Sequence, residues 1–339
     1  MKIAVHCKYL MIVCLLLASL SGKGQVKNLT VMFYNVENYF DTIYNPLKQD
    51  DFTPDDIYEW THERFVKKRN GITQVIMAID GDNPPPCLIG LCEVENRFVL
   101  QQLIDSTQLN EYDYCILHND SPDVRGIDVA LLYKRSCFRL IDSSFFLMGS
   151  DSLSMEKREI LYAKGIVPNG DTLHVLVNHF PSKRGGVRKT APLRMAAART
   201  LRQIIDSILT TSPKAYILAM GDFNDTYNSL TFKNGLQVKN DCSDICYVDV
   251  YNLSAQLAEN GEGSIKYRNR WQLVDMFLVS GGLLDDSTTL YCKQNDVQIF
   301  KPDFLMEYLP ASNSYRPKPA ISLAKLYWRI QRPFTSQYE

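Results

Sequence analysis

The sequence predicts an α/β layered fold, on three observations. Short apolar runs of strand length, Cys87–Cys92, Tyr216–Met220 and Leu273–Val279, alternate with amphipathic stretches of helical period. Clusters rich in Asn, Asp and Glu follow several of the strand-like runs directly, as they do where sites form at the strand ends of α/β sheets. No internal repeat and no Gly-, Ser- or Pro-rich linker divides the chain, so it reads as one domain.

Taken in order, Asn28–Phe33 is β-prone and ends at Asn35. Trp60–Ile79 has helical spacing of its apolar residues, with Lys67, Lys68 and Arg69 on the wet side. Pro84, Pro85 and Pro86 stop the chain before the buried strand Cys87–Cys92. Val99–Ile104 reads as helix, and Val129–Tyr133 and His174–Val177 as strands. Arg194–Leu209 is an amphipathic helix, followed by strands at Tyr216–Met220 and Leu273–Val279.

Composition excludes several classes. With 45% hydrophobic and 22% charged residues, the 339-residue chain is too apolar to be disordered. A formal net charge of −1 gives no global attraction to nucleic acid, so any such role needs a local basic site. Residues 1–24 read as a signal peptide: Lys2 and Lys8 precede the apolar run Met11–Leu20, and Ser21, Gly22 and Gly24 supply small residues for cleavage. A buried N-terminal helix is the alternative. The mature chain, 25–339, is then exported to a periplasmic or extracellular compartment, with no transmembrane anchor. Seven of the nine cysteines remain in it, an odd number. Cys87, Cys92 and Cys115 read as small buried residues on strands, and Cys242 and Cys246 either pair or stay free.

The polar clusters are Asn35-Val36-Glu37-Asn38, Glu93-Val94-Glu95-Asn96, Arg125-Gly126-Ile127-Asp128, Asn178-His179, Gly221-Asp222-Phe223-Asn224, and Asp275. Each alone has a bland reading as a cap or turn. Together they offer hard oxygen donors and one histidine, which suits Mg²⁺ or Mn²⁺ rather than zinc, and suits hydrolysis of a phosphate ester.

In order, these segments resemble the endonuclease/exonuclease/phosphatase superfamily of DNase I-like metal-dependent phosphoesterases. The matching stretches are NVENYFD (35–41), LCEVEN (91–96), RGIDVALLY (125–133), KREIL (157–161), NHFPSKRGG (178–186), GDFND (221–225) and WQLVDMFLVS (271–280). They extend the likeness to about residue 307. The resemblance implies a four-layered α/β sandwich, two packed sheets flanked by helices, with the site at one end of the sheets. It implies Glu93 as the principal metal ligand, with Asn35 near metal and phosphate. Asp222 aligns the attacking water or holds a second metal, and Asn224 donates to the scissile phosphate. His179 sits on the phosphate side with Asp128 orienting it, Arg158 positions phosphate, and Asp275 orients a second histidine. The implied cofactor is Mg²⁺ (or Mn²⁺). The implied partner is a phosphoester: DNA or RNA first, a phospholipid head group or small phosphoester otherwise, acted on by a monomer. Lys183, Arg184, Arg188 and Lys189 either meet a polyanionic substrate or form a solvated loop.

One family motif is missing. The superfamily ends in Ser-Asp-His, whereas the five histidines here are His6, His62, His118, His174 and His179. From about Ser312 the likeness is lost. A shifted reading frame accounts for this. One coding sequence for residues 327–335, TAT TGG CGG ATT CAG CGA CCA TTT ACC, read from its second base gives Ile-Gly-Gly-Phe-Ser-Asp-His-Leu. Such a tail is expected to cost the sheet its edge strand. The alternative is true divergence, to a catalytically inactive relative that binds a phosphorylated ligand or partner.

Overall fold

The computed structural model of the chain describes residues 28–48, 51–149, 157–267, 269–309, 314–317 and 325–331. The expected signal peptide lies outside the described residues, as do residues 332–335 of the segment proposed to be frame-shifted.

The strands in order are β1 (Asn28–Tyr39), β2 (Leu88–Val94), β3 (Tyr114–His118), β4 (Asp128–Lys134), β5 (Arg139–Leu147), β6 (Glu159–Ile166), β7 (Thr172–His179), β8 (Tyr216–Asp222), β9 (Val250–Asn252), β10 (Ile265–Tyr267), β11 (Arg270–Gln272), β12 (Asp275–Ser280), β13 (Gln298–Ile299), β14 (Met306–Leu309), β15 (Ser314–Pro317) and β16 (Lys325–Gln331). The longer helices are α1 (His62–Ala78), α2 (Arg97–Asp105) and α3 (Val187–Thr211). One sheet runs β13-β16-β1-β2-β4-β3 and the other β5-β6-β7-β8-β12-β9. Two sheets flanked by helices are the architecture expected from the resemblance.

Alternation along the strands builds the layers. Leu29, Val31 and Phe33 of β1 join the core between the sheets, while Met32, Tyr34 and Val36 join the core under α1 and α2. In β4, Val129 and Leu131 face inward and Ala130 and Leu132 face the helices. A strand with both faces covered must be apolar throughout, which is why these runs read as continuous rather than alternating. On the far side, Ala197, Ala198, Leu201 and Ile205 of α3 close the core of the second sheet.

The two sheets repeat one arrangement that positions the site. In the first, β1 and β2 are parallel with α1 crossing between them, and β4 lies antiparallel beside β2. In the second, β7 and β8 are parallel with α3 crossing, and β12 lies antiparallel beside β8. The C-terminal ends of the parallel strands and the start of the antiparallel one therefore share an edge. Among the described residues, no helix is long and apolar enough to cross a membrane.

Four expectations change. The long helix begins at Val187, not Arg194, and carries Pro192 within it. Lys68 is not on the wet face of α1: it is half-buried, and its ammonium donates to the Glu37 carbonyl at 3.0 Å. Cys87 is not a plain buried residue but pairs with Cys137 in a disulfide, Cα to Cα 5.8 Å; Cys92 stays free and buried, Cys115 free, and Cys242 and Cys246 unpaired. The altered tail does not leave β1 without a neighbour, because β16 pairs with it from Asn28↔Gln331 to Tyr34↔Lys325.

Gly221 precedes Asp222 where a Cβ would overlap the Asn178 carbonyl of β7. Gly221→Ala is expected to lower stability by about 1–3 kcal/mol in urea denaturation. Gly71→Ala, in α1 with open space around it, is expected to be neutral or stabilising.

Candidate active site

Asn35 of β1, Glu93 of β2, and His179 and Asp222 at the ends of β7 and β8 meet at the shared edge. The Asn35 amide donates through Nδ2 to Glu93 Oε1 at 3.1 Å and to Asp222 Oδ2 at 3.0 Å, so one amide bridges carboxylates from two sheets. Its oxygen is engaged elsewhere, accepting from the Glu37 amide at 2.9 Å. Glu93 Oε2 accepts from the Asn38 amide at 3.1 Å, and Asp222 Oδ1 from the Asn224 amide at 2.8 Å. His179 Nε2 stands 3.7 Å from Glu93 and 3.9 Å from Asp222, too far for a hydrogen bond and near enough to share a ligand.

The backbone that aims these groups is strained. Glu37, Asn38, Glu93 and Asn224 have φ of 52°, 60°, 62° and 48°, the left-handed region that non-glycine residues rarely occupy. They are half of the non-glycine residues with positive φ in the described chain, and such strain collects at functional sites. The 37–38 turn is braced by Lys68. Burial lowers the Lys68 pKa to about 8, against the pull of Glu37 and Glu93. The sequence hinted at Lys68 only as one of three basic residues in a row.

Electrostatics sort the titratable groups. Burial pushes the Asp222 carboxyl up to about 6, helped by the Glu93 charge and opposed by the Asn224 and Asn35 hydrogen bonds. Burial, then Arg158 and Arg125, hold His179 well below the usual imidazole range, so it is neutral at pH 7. Its Nδ1 is buried without a hydrogen-bond partner among the described residues. Asp275 faces Asp222 across the β12–β8 pair. Burial and the Asp222 charge push its carboxyl well above the usual range, and its Oδ1 also lacks a partner among the described residues.

The other expected residues are nearby in different settings. Asn224 Nδ2 donates to the Phe180 carbonyl at 2.9 Å, as does Arg158 NH1 at 2.8 Å. Arg158 is 2% exposed and pairs with Asp123 at 3.4 Å, so it lies beneath the rim, and Asp123 is a partner the sequence did not single out. Asp128 lines a small cavity together with His179 and Arg158. Its direct contacts are with Ser121, whose hydroxyl donates to Oδ1, and with His118 at 3.7 Å. Lys183 pairs with Asp225 at 3.0 Å, leaving Arg184 exposed on the loop and Arg188 and Lys189 exposed in the first turn of α3. In LCEVEN only Glu93 faces the site. Glu95 accepts from the Asp41 amide at 2.7 Å and Asn96 caps α2 by accepting from Val99 at 3.0 Å.

A family model described as the endonuclease/exonuclease/phosphatase family matches residues 30–323. The chain belongs to that family. No curated protein sequence matches it. Solved members and neighbours share the fold at low identity. The human Nocturnin catalytic domain, solved with a bound sulfate anion, has a TM-score of 0.56 and 15% identity over 90% of this chain and 95% of that one. A family protein from Bacteroides thetaiotaomicron has a TM-score of 0.57 and 11% identity over 91% and 100%. D. rerio TDP2, in complex with a single-strand DNA product, has a TM-score of 0.55 and 14% identity over 90% and 99%. The family match stops two residues before β16 begins.

Because the folded pKa of Asp275 is raised, its stabilising contribution is complete at acid pH and lost as pH rises toward that pKa. Asp275→Asn is therefore expected to raise the melting temperature of chelator-treated protein at pH 7 by about 2–4 °C, and to leave it unchanged at pH 4. Calorimetry at the two pH values checks both.

Proposed function

We propose that the chain is an exported, metal-dependent phosphodiesterase of its family, acting as a nuclease. The observation that carries this reading is the convergence of Glu93, Asp222, Asn35 and His179 at one edge of the sandwich. The two carboxylates are the hard oxygen donors that Mg²⁺ or Mn²⁺ takes, so Glu93 and Asp222 are the residues that would hold it; Asn35 would join them only by turning its amide oxygen, which here accepts from Glu37, toward the ion. Such an ion, when bound, neutralises phosphoryl oxygens and lowers the charge penalty of attack. The raised Asp222 pKa fits this reading, since a buried carboxylate pair resists ionising together until a cation is present.

The chain's own residues supply the rest. Asp222 orients the attacking water, and Asn224 donates to the scissile phosphate from the turn that Asp222 accepts from. Neutral His179 offers Nε2 to a phosphate oxygen, while Arg158 adds a buried positive charge behind it. Asp128 faces His179 only across the small cavity that both line, and no hydrogen bond joins them among the described residues. Phosphate is the shared recognition element, and the DNA product held by D. rerio TDP2 favours a nucleic acid over other phosphoesters. Export is supported by the Cys87–Cys137 disulfide, a bond that persists in oxidising compartments.

For the chain as written, Asp275 Oδ1, without a hydrogen-bond partner among the described residues, favours a second reading. The resemblance expects this carboxylate to orient a histidine, and without that histidine the protein binds a phosphorylated ligand and turns it over slowly or not at all. Reading the gene across residues 302–339 decides whether the tail is shifted.

The test is hydrolysis of bis(4-nitrophenyl) phosphate and plasmid DNA with Mg²⁺ or Mn²⁺. Glu93→Gln and Asp222→Asn are each expected to lower kcat/KM at least about 100-fold with the fold intact by circular dichroism. Replacing the tail with one that carries Ser-Asp-His is expected to raise it by about 10²–10⁴. Activity indifferent to both carboxylates would sink the enzyme reading.

A further inference from the structure

Beside the site lies a second group of metal-ligating side chains, of which only Asp128 also borders the cavity next to His179. His118 ends β3 and Asp128 opens β4, so the antiparallel pairing of those strands, His118 opposite Ala130, brings both feet of the 119–127 loop together. Asp120 stands on the solvent side. One donor atom from each of the three lies within 4.8 Å of the other two.

Burial makes this group more than a surface cluster. The His118 and Asp128 side chains are 2% and 1% exposed, and His118 Nε2 faces Asp128 Oδ2 at 3.7 Å. Neither atom has a hydrogen-bond partner among the described residues. A separation of 3.7 Å is beyond a hydrogen bond, and a buried polar atom left unpaired costs about 1–3 kcal/mol. Two ligands of one cation with bonds of about 2.0–2.2 Å, at an angle between tetrahedral and trigonal, stand ~3.3–3.8 Å apart. The observed gap is therefore that of two ligands around an ion. The other oxygen of Asp128 is already oriented by Ser121, whose amide donates to it at 3.2 Å, the outer support that ligating carboxylates commonly have. Asp120 is 69% exposed and stands nearer the other ring nitrogen, 3.8 Å from His118 Nδ1, so it is free to swing round the ring edge to an ion on the Nε2 side and leaves an entry path from solvent.

We propose that His118, Asp120 and Asp128 bind a Zn²⁺ ion at a site separate from the Glu93–Asp222 position. The imidazole donor favours zinc over magnesium or calcium, and three protein ligands leave a fourth position for water. The ion would fasten the two feet of the loop that carries Asp123, the partner of Arg158, and so steady the wall of the neighbouring site. Its role is structural, and it does not depend on the phosphodiesterase reading.

The test is a calorimetric titration of the full chain, stripped with chelator, with ZnCl₂. It is done in the Glu93→Gln background, so that loss of the neighbouring site cannot be mistaken for loss of this one. The expected result is that His118→Gln removes one bound equivalent. Asp120→Asn, exposed and so without effect on folding, is expected to weaken the same equivalent at least tenfold with an unchanged melting temperature in the absence of zinc. Zinc binding that is the same with and without these substitutions, or no saturable binding in the Glu93→Gln protein, would overturn the proposal.

Discussion

Two carboxylates from different sheets are kept in hydrogen-bond reach of one amide, and the rest of the structure is arranged around that fact. Glu93 and Asp222 repel each other in a site from which water is largely excluded, and Asn35 holds them together with a single nitrogen. The contact exists only if the two sheets pack in one relative alignment. The cores on either side of β1 and β4, and the repeated parallel–antiparallel arrangement in each sheet, fix that alignment. The amide is a weak substitute for a cation: it offers two hydrogens where a dication offers full charge. A site built this way is held in shape but left electrostatically unsatisfied.

The price of that shape is visible in the backbone. Three short irregularities, at Glu37–Asn38 in β1, at Glu93 in β2 and at Asn224 after β8, take left-handed conformations, and at the first and last a main-chain amide thereby reaches a carboxylate oxygen. Each conformation costs of order 1 kcal/mol and persists because neighbours over-determine it. Lys68 does so for the first turn, and the Phe180 carbonyl, taking hydrogen bonds from Asn224 and Arg158, does so for the last.

Much of this was legible in the sequence, for a physical reason. A strand covered on both faces is apolar to its end, so the first polar residues after it mark where the chain meets the site. Asn35, Glu93, His179 and Asp222 were found this way, and their family order supplied the two-sheet sandwich. What escaped were groups that act through three-dimensional neighbours. Lys68 has a helical position that spacing assigns to solvent, yet its long side chain reaches the turn after β1. Asp123 and His118 lie in and beside a loop with no period to read, and their partners are Arg158 and Asp128. Cys137 is separated from Cys87 by 50 residues, and no spacing rule selects it among the others. The start of α3 was placed late because apolar spacing is clear only from Arg194 onward, whereas its first turns are stabilised by polar contacts such as Thr190 with Gly186.

The position of β16 sets a schedule for folding. The strand made almost last lies between β13 and β1, the first strand of the described chain. At about 5–20 residues per second, β1 emerges ~15–60 s before its partner on that side exists. During that interval it presents an unpaired, apolar edge to any other extended segment nearby. The second sheet, by contrast, gathers β5 to β12 from one continuous stretch and can close without the tail. The pairing made last lies on the side of β1 away from β2, and it stops at Tyr34, one residue short of the amide that joins the two carboxylates.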